Sequence, residues 1–288
     1  MSANSFWYIG LSGLCLLVIV YTNYKKKDLH TFLHFLMISE MAYLIEAVIY
    51  TYNNSYFYRP ELLKTDPLYD SHLGALTSNL LAIPAIANFL SAFRLGWPGY
   101  GLAIVFLAAV EWLFVKLHIY TLHWWRVGYT SMGLAVFFPT AAMLYRRIQR
   151  PVRGTMKALF VYLSIGPLSG WFHFLPIMLF ECRQYRPGWF EDMARDTSAF
   201  AVLHYIAVAV VVTVLAVSRW KHRWMKYALL ELFVIVAEFV LRTTGMLRSE
   251  TWWDPWFYLL FPLGILLAAE GVSGALSEGA GRGEASAE

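Results

Sequence analysis

Hydrophobic and polar positions in this chain are sorted on the scale of whole helices. Apolar runs of about 20 residues, the length that crosses a bilayer as α-helix, alternate with short charged or polar stretches. Nine such runs fit, at about 5–24, 31–52, 79–95, 99–117, 127–145, 158–180, 198–218, 227–246 and 255–275. Helices are required because lipid offers no partner to an exposed backbone N–H or C=O. The ten-residue alternating segments of a transmembrane barrel are missing. The pattern predicts an all-α polytopic transmembrane helical bundle. It forms a single membrane domain over residues 1–275, followed by a disordered cytoplasmic tail at 276–288. The third run is short and broken by Pro84, so eight spans is the alternative if that segment is re-entrant.

Composition supports the pattern. The 288 residues are 59% hydrophobic and 15% charged, against about 25% charged in a soluble domain. The first apolar run precedes the basic cluster Lys25–Lys27, the reverse of a cleavable signal peptide, so it reads as a span that stays. Basic residues gather at Lys25–Lys27, between 146 and 157, and between 219 and 226. The positive-inside tendency places these clusters in the cytoplasm, the N-terminus outside and the C-terminus inside. The basic residues border spans without forming a groove, which argues against a nucleic-acid partner. The partners expected are the lipid bilayer and other membrane proteins.

Two outer loops, 53–78 and 181–197, are long and rich in aromatic residues, as suits headgroup depth. The stretch 103–126 looks like a copy of 233–253. Each has an embedded carboxylate (Glu111, Glu238), a basic residue and a tryptophan pair. The similarity predicts that the fourth and fifth spans match the eighth and ninth. A looser four-hairpin repeat would include Glu46 and His173.

Charge within a span is costly, so embedded polar residues are the candidates for function. Under this topology Glu46, Glu111, His173 and His204 fall in the outer half of the membrane. Glu238 and Arg242 stand at i, i+4, the favourable order for an ion pair. These six residues define a candidate polar cavity open to the outside, suited to a proton, an ion or a small solute. The competing role is interhelical hydrogen bonding that fixes packing. His30 and His34 are one turn apart, but two histidines without further ligands do not define a metal site. Proline and glycine make the sixth span, with Gly166-Pro167 and Pro176, the one expected to be most distorted.

No nucleophile elbow, HExxH, Walker A loop or Rossmann fingerprint is present. That weighs against recognised enzyme classes and selects no cofactor. Three readings stay open: a solute- or ion-binding membrane protein, a structural subunit of a membrane complex, and an intramembrane enzyme on lipid substrates. The segments YKKKDLHTF (24–32), YFYRPELLKTDPLYDSHLGAL (56–76) and EWLFVKLHIYTLHWWRVGYT (111–130) resemble a poorly characterised family of multi-pass membrane proteins of endospore-forming Firmicutes. The resemblance covers the first half of the chain and implies a bacterial cell-membrane location. It transfers no site residues, because the family has no assigned activity.

Overall fold

Nine long helices account for most of the 2–278 stretch that the computed structural model describes. They are α1 (Ala3–Lys26), α2 (Leu29–Tyr52), α3 (Pro67–Ala92), α4 (Gly96–Lys116), α5 (Val127–Ile148), α6 (Gly154–Phe180), α7 (Met193–Val217), α8 (Trp224–Thr243) and α9 (Asp254–Glu278). All but α8 are long and apolar enough to cross a membrane, the make-up of a multi-pass membrane protein. In α8, Lys226, Glu231, Glu238 and Arg242 lower the hydropathy. The Pro84 segment is no short re-entrant piece, since α3 runs 26 residues. It starts well before the expected residue 79 because Asp66 caps it, accepting from Leu68 N at 2.7 Å, with Pro67 in the first turn, where a missing N–H costs nothing. The last helix runs past residue 276, and the rest of the expected tail, 279–288, lies outside the described residues.

The distortion expected in α6 occurs elsewhere. The helix α6 is α-helical from Gly154 to Phe180 despite Pro167 and Pro176. The wide π-helical turns lie in α2 (Ala47–Tyr52) and α3 (Thr77–Ala82).

The packing divides into two compact units, one reaching to Pro151 and the other Val152–Ser277. The first contains α1–α5. Small residues let its helices approach: Ala42, Ala87, Ala103 and Ala141 interleave with Ile38, Leu90, Leu134 and Phe138. His34 ties three helices together, through Nδ1 to the Asn88 side chain and Nε2 to Ala141 O, both at 2.8 Å. Large apolar side chains such as Leu17, Leu102 and Val136 point outward, as lipid contact allows. The second unit contains α6–α9, with α6 and α7 in the most extensive contact.

Each unit holds two helix–strand–helix hairpins whose three-residue strands pair antiparallel. In the first unit β1 (Tyr56–Tyr58) pairs with β2 (Tyr120–Leu122), Tyr56 opposite Leu122. In the second, β3 (Arg183–Tyr185) pairs with β4 (Leu247–Ser249), Arg183 opposite Ser249. Two residues before each strand the chain turns through a left-handed residue: Asn54, His118, Glu181 and Gly245. This turn recurs in all four hairpins.

The correspondence between units reaches individual hydrogen bonds, at a shift of 127 residues for the strands and helix ends and of 126 for the aspartate and hydroxyl residue that follow each first strand. Arg59 N bonds Ile119 O, and Arg186 N bonds Met246 O. Leu117 N bonds Leu113 O where α4 ends, and Thr244 N bonds Val240 O where α8 ends. The chain after each first strand folds over an aspartate. Asp70 accepts from the backbone N of Glu61, Leu62 and Leu63 at 2.7–2.8 Å. Asp196 does the same for Gly188, Trp189 and Phe190 at 2.8–3.1 Å. The next residue then holds the strand: Ser71 Oγ accepts from Tyr58 N, and Thr197 Oγ1 from Tyr185 N. Thus α2–α5 and α6–α9 share one plan, and α1 stands outside it. In the first unit α3 passes so close to β1 that a Cβ on Gly74 would clash with Tyr58 Cβ.

The aspartate cradles should dominate the stability of the loops that follow β1 and β3. Asp66→Ala or Asp192→Ala, which remove only helix caps, should cost about 1 kcal/mol. Asp70→Ala or Asp196→Ala remove three bonds to a carboxylate, each worth roughly 1.5–3 kcal/mol. Thermal unfolding in detergent should show clearly larger midpoint losses for the second pair.

Candidate functional site

The six candidate residues fall into two groups, one in each unit. Glu46 and Glu111 meet in a cavity of about 210 Å³ inside the first unit. Glu46 arrives on α2 just before its π-helical turn, and Glu111 on α4. The wall is aromatic: Tyr8, Tyr56, Tyr58, Tyr120 and Trp125 all line it. Strand pairing places three of these rings, since Tyr56 and Tyr58 alternate with outward Phe57 on β1 and pack at a tilt against Tyr120 of β2.

The Tyr56 hydroxyl donates to Glu46 Oε2, and Asn79, on the π turn of α3, lies beside the same carboxylate. The other oxygen, Oε1, is buried without a partner. Neither oxygen of Glu111 has one, and the Thr130 hydroxyl lies beside it without the geometry of a full hydrogen bond. Lys, Arg and His are missing from the residues that line this cavity. Burial pushes the strand tyrosines Tyr56, Tyr58 and Tyr120 well above the usual phenol range, with Glu46 next for Tyr56 and Tyr58, and Tyr58 and then Glu111 next for Tyr120.

His173, His204, Glu238 and Arg242 gather in the second unit around a residue the sequence did not single out. Arg183, on β3, is fully buried. Its Nε and Nη2 donate to Asp254 at 2.7 and 3.1 Å, and its Nη1 to Glu238 at 2.8 Å and to the Tyr185 hydroxyl at 2.8 Å. The guanidinium lies over the Tyr258 ring, 3.3 Å from its centre. Burial works to lower the Arg183 pKa, but the acidic groups around it, Tyr185, Tyr258, Glu238 and Asp254, hold it well above the ordinary value.

Arg242 is therefore not the main partner of Glu238. It stands 3.5 Å from Glu238 and 3.6 Å from Asp254, and donates to Ser249 Oγ at 2.6 Å. His173 and His204 lie with ring centres 4.9 Å apart. His173 Nε2 faces the Tyr185 hydroxyl at 3.3 Å, and its carbonyl accepts from Tyr258. The only signal for Arg183 was a basic residue beside Cys182 at the start of the long 181–197 loop. Asp254 showed itself only as a helix-initiating aspartate before Pro255.

His30 and His34 do not converge. His30 Nδ1 pairs with Asp28, and His34 serves the packing described above. Among the described residues no three His, Cys, Asp or Glu side chains are gathered as a metal would need. Chemically, then, one unit holds a buried cation matched to two carboxylates, and the other holds two carboxylates in an aromatic cavity with no cation.

Breaking the matched set should be costly. Asp254→Asn leaves a fully buried guanidinium short of its bidentate partner and should destabilise by about 3–5 kcal/mol. Glu238→Gln should cost less, because Glu238 is 13% exposed and Asp254 remains in place. Thermal unfolding of the two variants in detergent checks the order.

No protein-family model, curated protein or solved structure matches the chain, so the chemistry of both clusters rests on their own geometry.

Proposed function

We propose that this chain is a multi-pass protein of the bacterial cell membrane that binds a small cationic solute in the cavity of its first unit. The reading rests on one observation above the rest: Glu46 and Glu111 present buried, unpartnered carboxylate oxygens to a cavity that no Lys, Arg or His lines. Two desolvated carboxylates without a counter-ion are unfavourable, and an entering cation relieves that cost. Aromatic faces around the cavity add cation–π attraction, about 0.5–2 kcal/mol per well-placed ring. A site of a few polar groups in an otherwise apolar hollow is the usual form of a small-ligand pocket.

The strand end of the first unit, where the cavity lies, faces outside in this reading. The loops at the other end carry Lys25–Lys27, Arg94 and Arg146–Arg150, which favours the cytoplasm. The likeness of residues 24–32, 56–76 and 111–130 to membrane proteins of endospore-forming Firmicutes supports the same location.

Two measurements test this. Full-length protein in detergent, held at constant ionic strength, is titrated with potassium, ammonium, alkylammonium and guanidinium chlorides. At least one cation should raise the thermal midpoint of the wild type, and Glu46→Gln and Glu111→Gln should each abolish that rise while remaining folded. If no cation stabilises the wild type, the reading is wrong. Separately, Ser2→Cys should react with a membrane-impermeant thiol reagent in intact cells, and Ser286→Cys should react only after permeabilisation.

A further inference from the structure

The second unit shows what its own plan accommodates at the position where the first is hollow. The helices α4 and α8 end in the same hydrogen-bonded turn 127 residues apart, each followed by a left-handed residue, His118 and Gly245. No irregularity interrupts either helix between that turn and its carboxylate, so Glu111 and Glu238 are counterparts. The strand registers make Tyr56 the counterpart of Arg183, and Tyr58 that of Tyr185.

In the second unit the Glu238 carboxylate receives a guanidinium, which also meets a second carboxylate, a tyrosine hydroxyl and a tyrosine face. The first unit offers the same kinds of group without the guanidinium. Glu111 stands where Glu238 stands, and Glu46 supplies a second carboxylate, from α2 rather than from the position of Asp254. Tyr58 occupies the place of Tyr185, and further rings wall the cavity. β1 carries Tyr56 and not arginine, and among the described residues no Lys, Arg or His lines the cavity that holds these acids.

We propose that the cavity of the first unit binds a guanidinium compound, its planar cation set between Glu111 and Glu46 as the Arg183 guanidinium is set between Glu238 and Asp254. This specifies the ligand class of the cation site proposed above and rests on that reading. The choice of guanidinium over ammonium follows from shape. A planar fork of donors can serve two carboxylates and a tyrosine while its face lies on an aromatic ring, whereas an ammonium is a compact point charge.

The experiment uses the full chain in lipid nanodiscs, with isothermal titration and thermal unfolding as readouts. The probes are propylguanidinium, propylammonium, tetramethylammonium, potassium and neutral propylurea. Propylguanidinium should bind at least tenfold more tightly than propylammonium, and propylurea should not bind. Glu111→Gln and Glu46→Gln should each weaken propylguanidinium binding at least tenfold. Tyr56→Arg supplies the complementary test, because it writes the second unit's guanidinium into the first. That variant should stay folded by size-exclusion chromatography and thermal unfolding, and should lose propylguanidinium binding. Equal or tighter binding of propylammonium, tetramethylammonium or potassium would overturn the guanidinium assignment and leave a cation site standing. Binding of propylurea as tight as propylguanidinium would also overturn it. Failure of every cation to bind would overturn both. A folded Tyr56→Arg protein that still binds propylguanidinium like wild type would refute the correspondence with Arg183.

Discussion

A carboxylate taken out of water must be met by a cation, a proton or a set of hydrogen bonds, and the cost of leaving it unmet is several kcal/mol. The interior of this protein is arranged around that requirement. In the second unit Glu238 and Asp254 share the guanidinium of Arg183, which is buried so completely that it acts as part of the core. In the first unit Glu46 is met partly by the Tyr56 hydroxyl, and Glu111 borders an open hollow. The same requirement governs the loops. Asp70 and Asp196 are each answered by three backbone N–H groups, which fixes the chain over the end of each strand pair.

These arrangements depend on very short strands. Three residues of pairing fix which side chains turn inward, because alternate residues of a strand face opposite ways. Tyr56 and Tyr58 on one strand, and Arg183 and Tyr185 on its counterpart, are buried for that reason. The helices supply the carboxylates, and the strands supply the aromatic or cationic groups that answer them.

The helices were legible because a bilayer imposes length and apolarity on each span, and both are written directly in the residues. The likeness of Glu111 and Glu238 was legible too, from the shared order of carboxylate, basic residue and tryptophan pair. Other features needed the fold. The start of α3 was hidden because Asp70, Ser71 and His72 look like loop residues, yet all three are buried, Asp70 under the 61–63 loop, Ser71 against β1 and His72 against Tyr50. The π turns beside Glu46 and Asn79 left no trace in proline or glycine content, so distortion was expected in α6 instead. Arg183 gave no warning because pairing between hairpins, not helical periodicity, carries it inward. One overlooked signal was available: Tyr-Arg-Pro occurs at 58–60 and again at 185–187, each followed by two aspartates four residues apart. That pattern marks the duplicated unit more sharply than the tryptophans do.

Among the described residues each strand pairing closes inside one unit, and this bears on how the protein is made. β1 finds β2, and β3 finds β4, so each pairing closes within its own stretch of chain. Every residue lining the cavity, from Tyr8 to Phe137, precedes Pro151. Domains tend to fold in order as they leave the ribosome. Every residue that lines the hollow is therefore synthesised before the first residue of its arginine-filled counterpart.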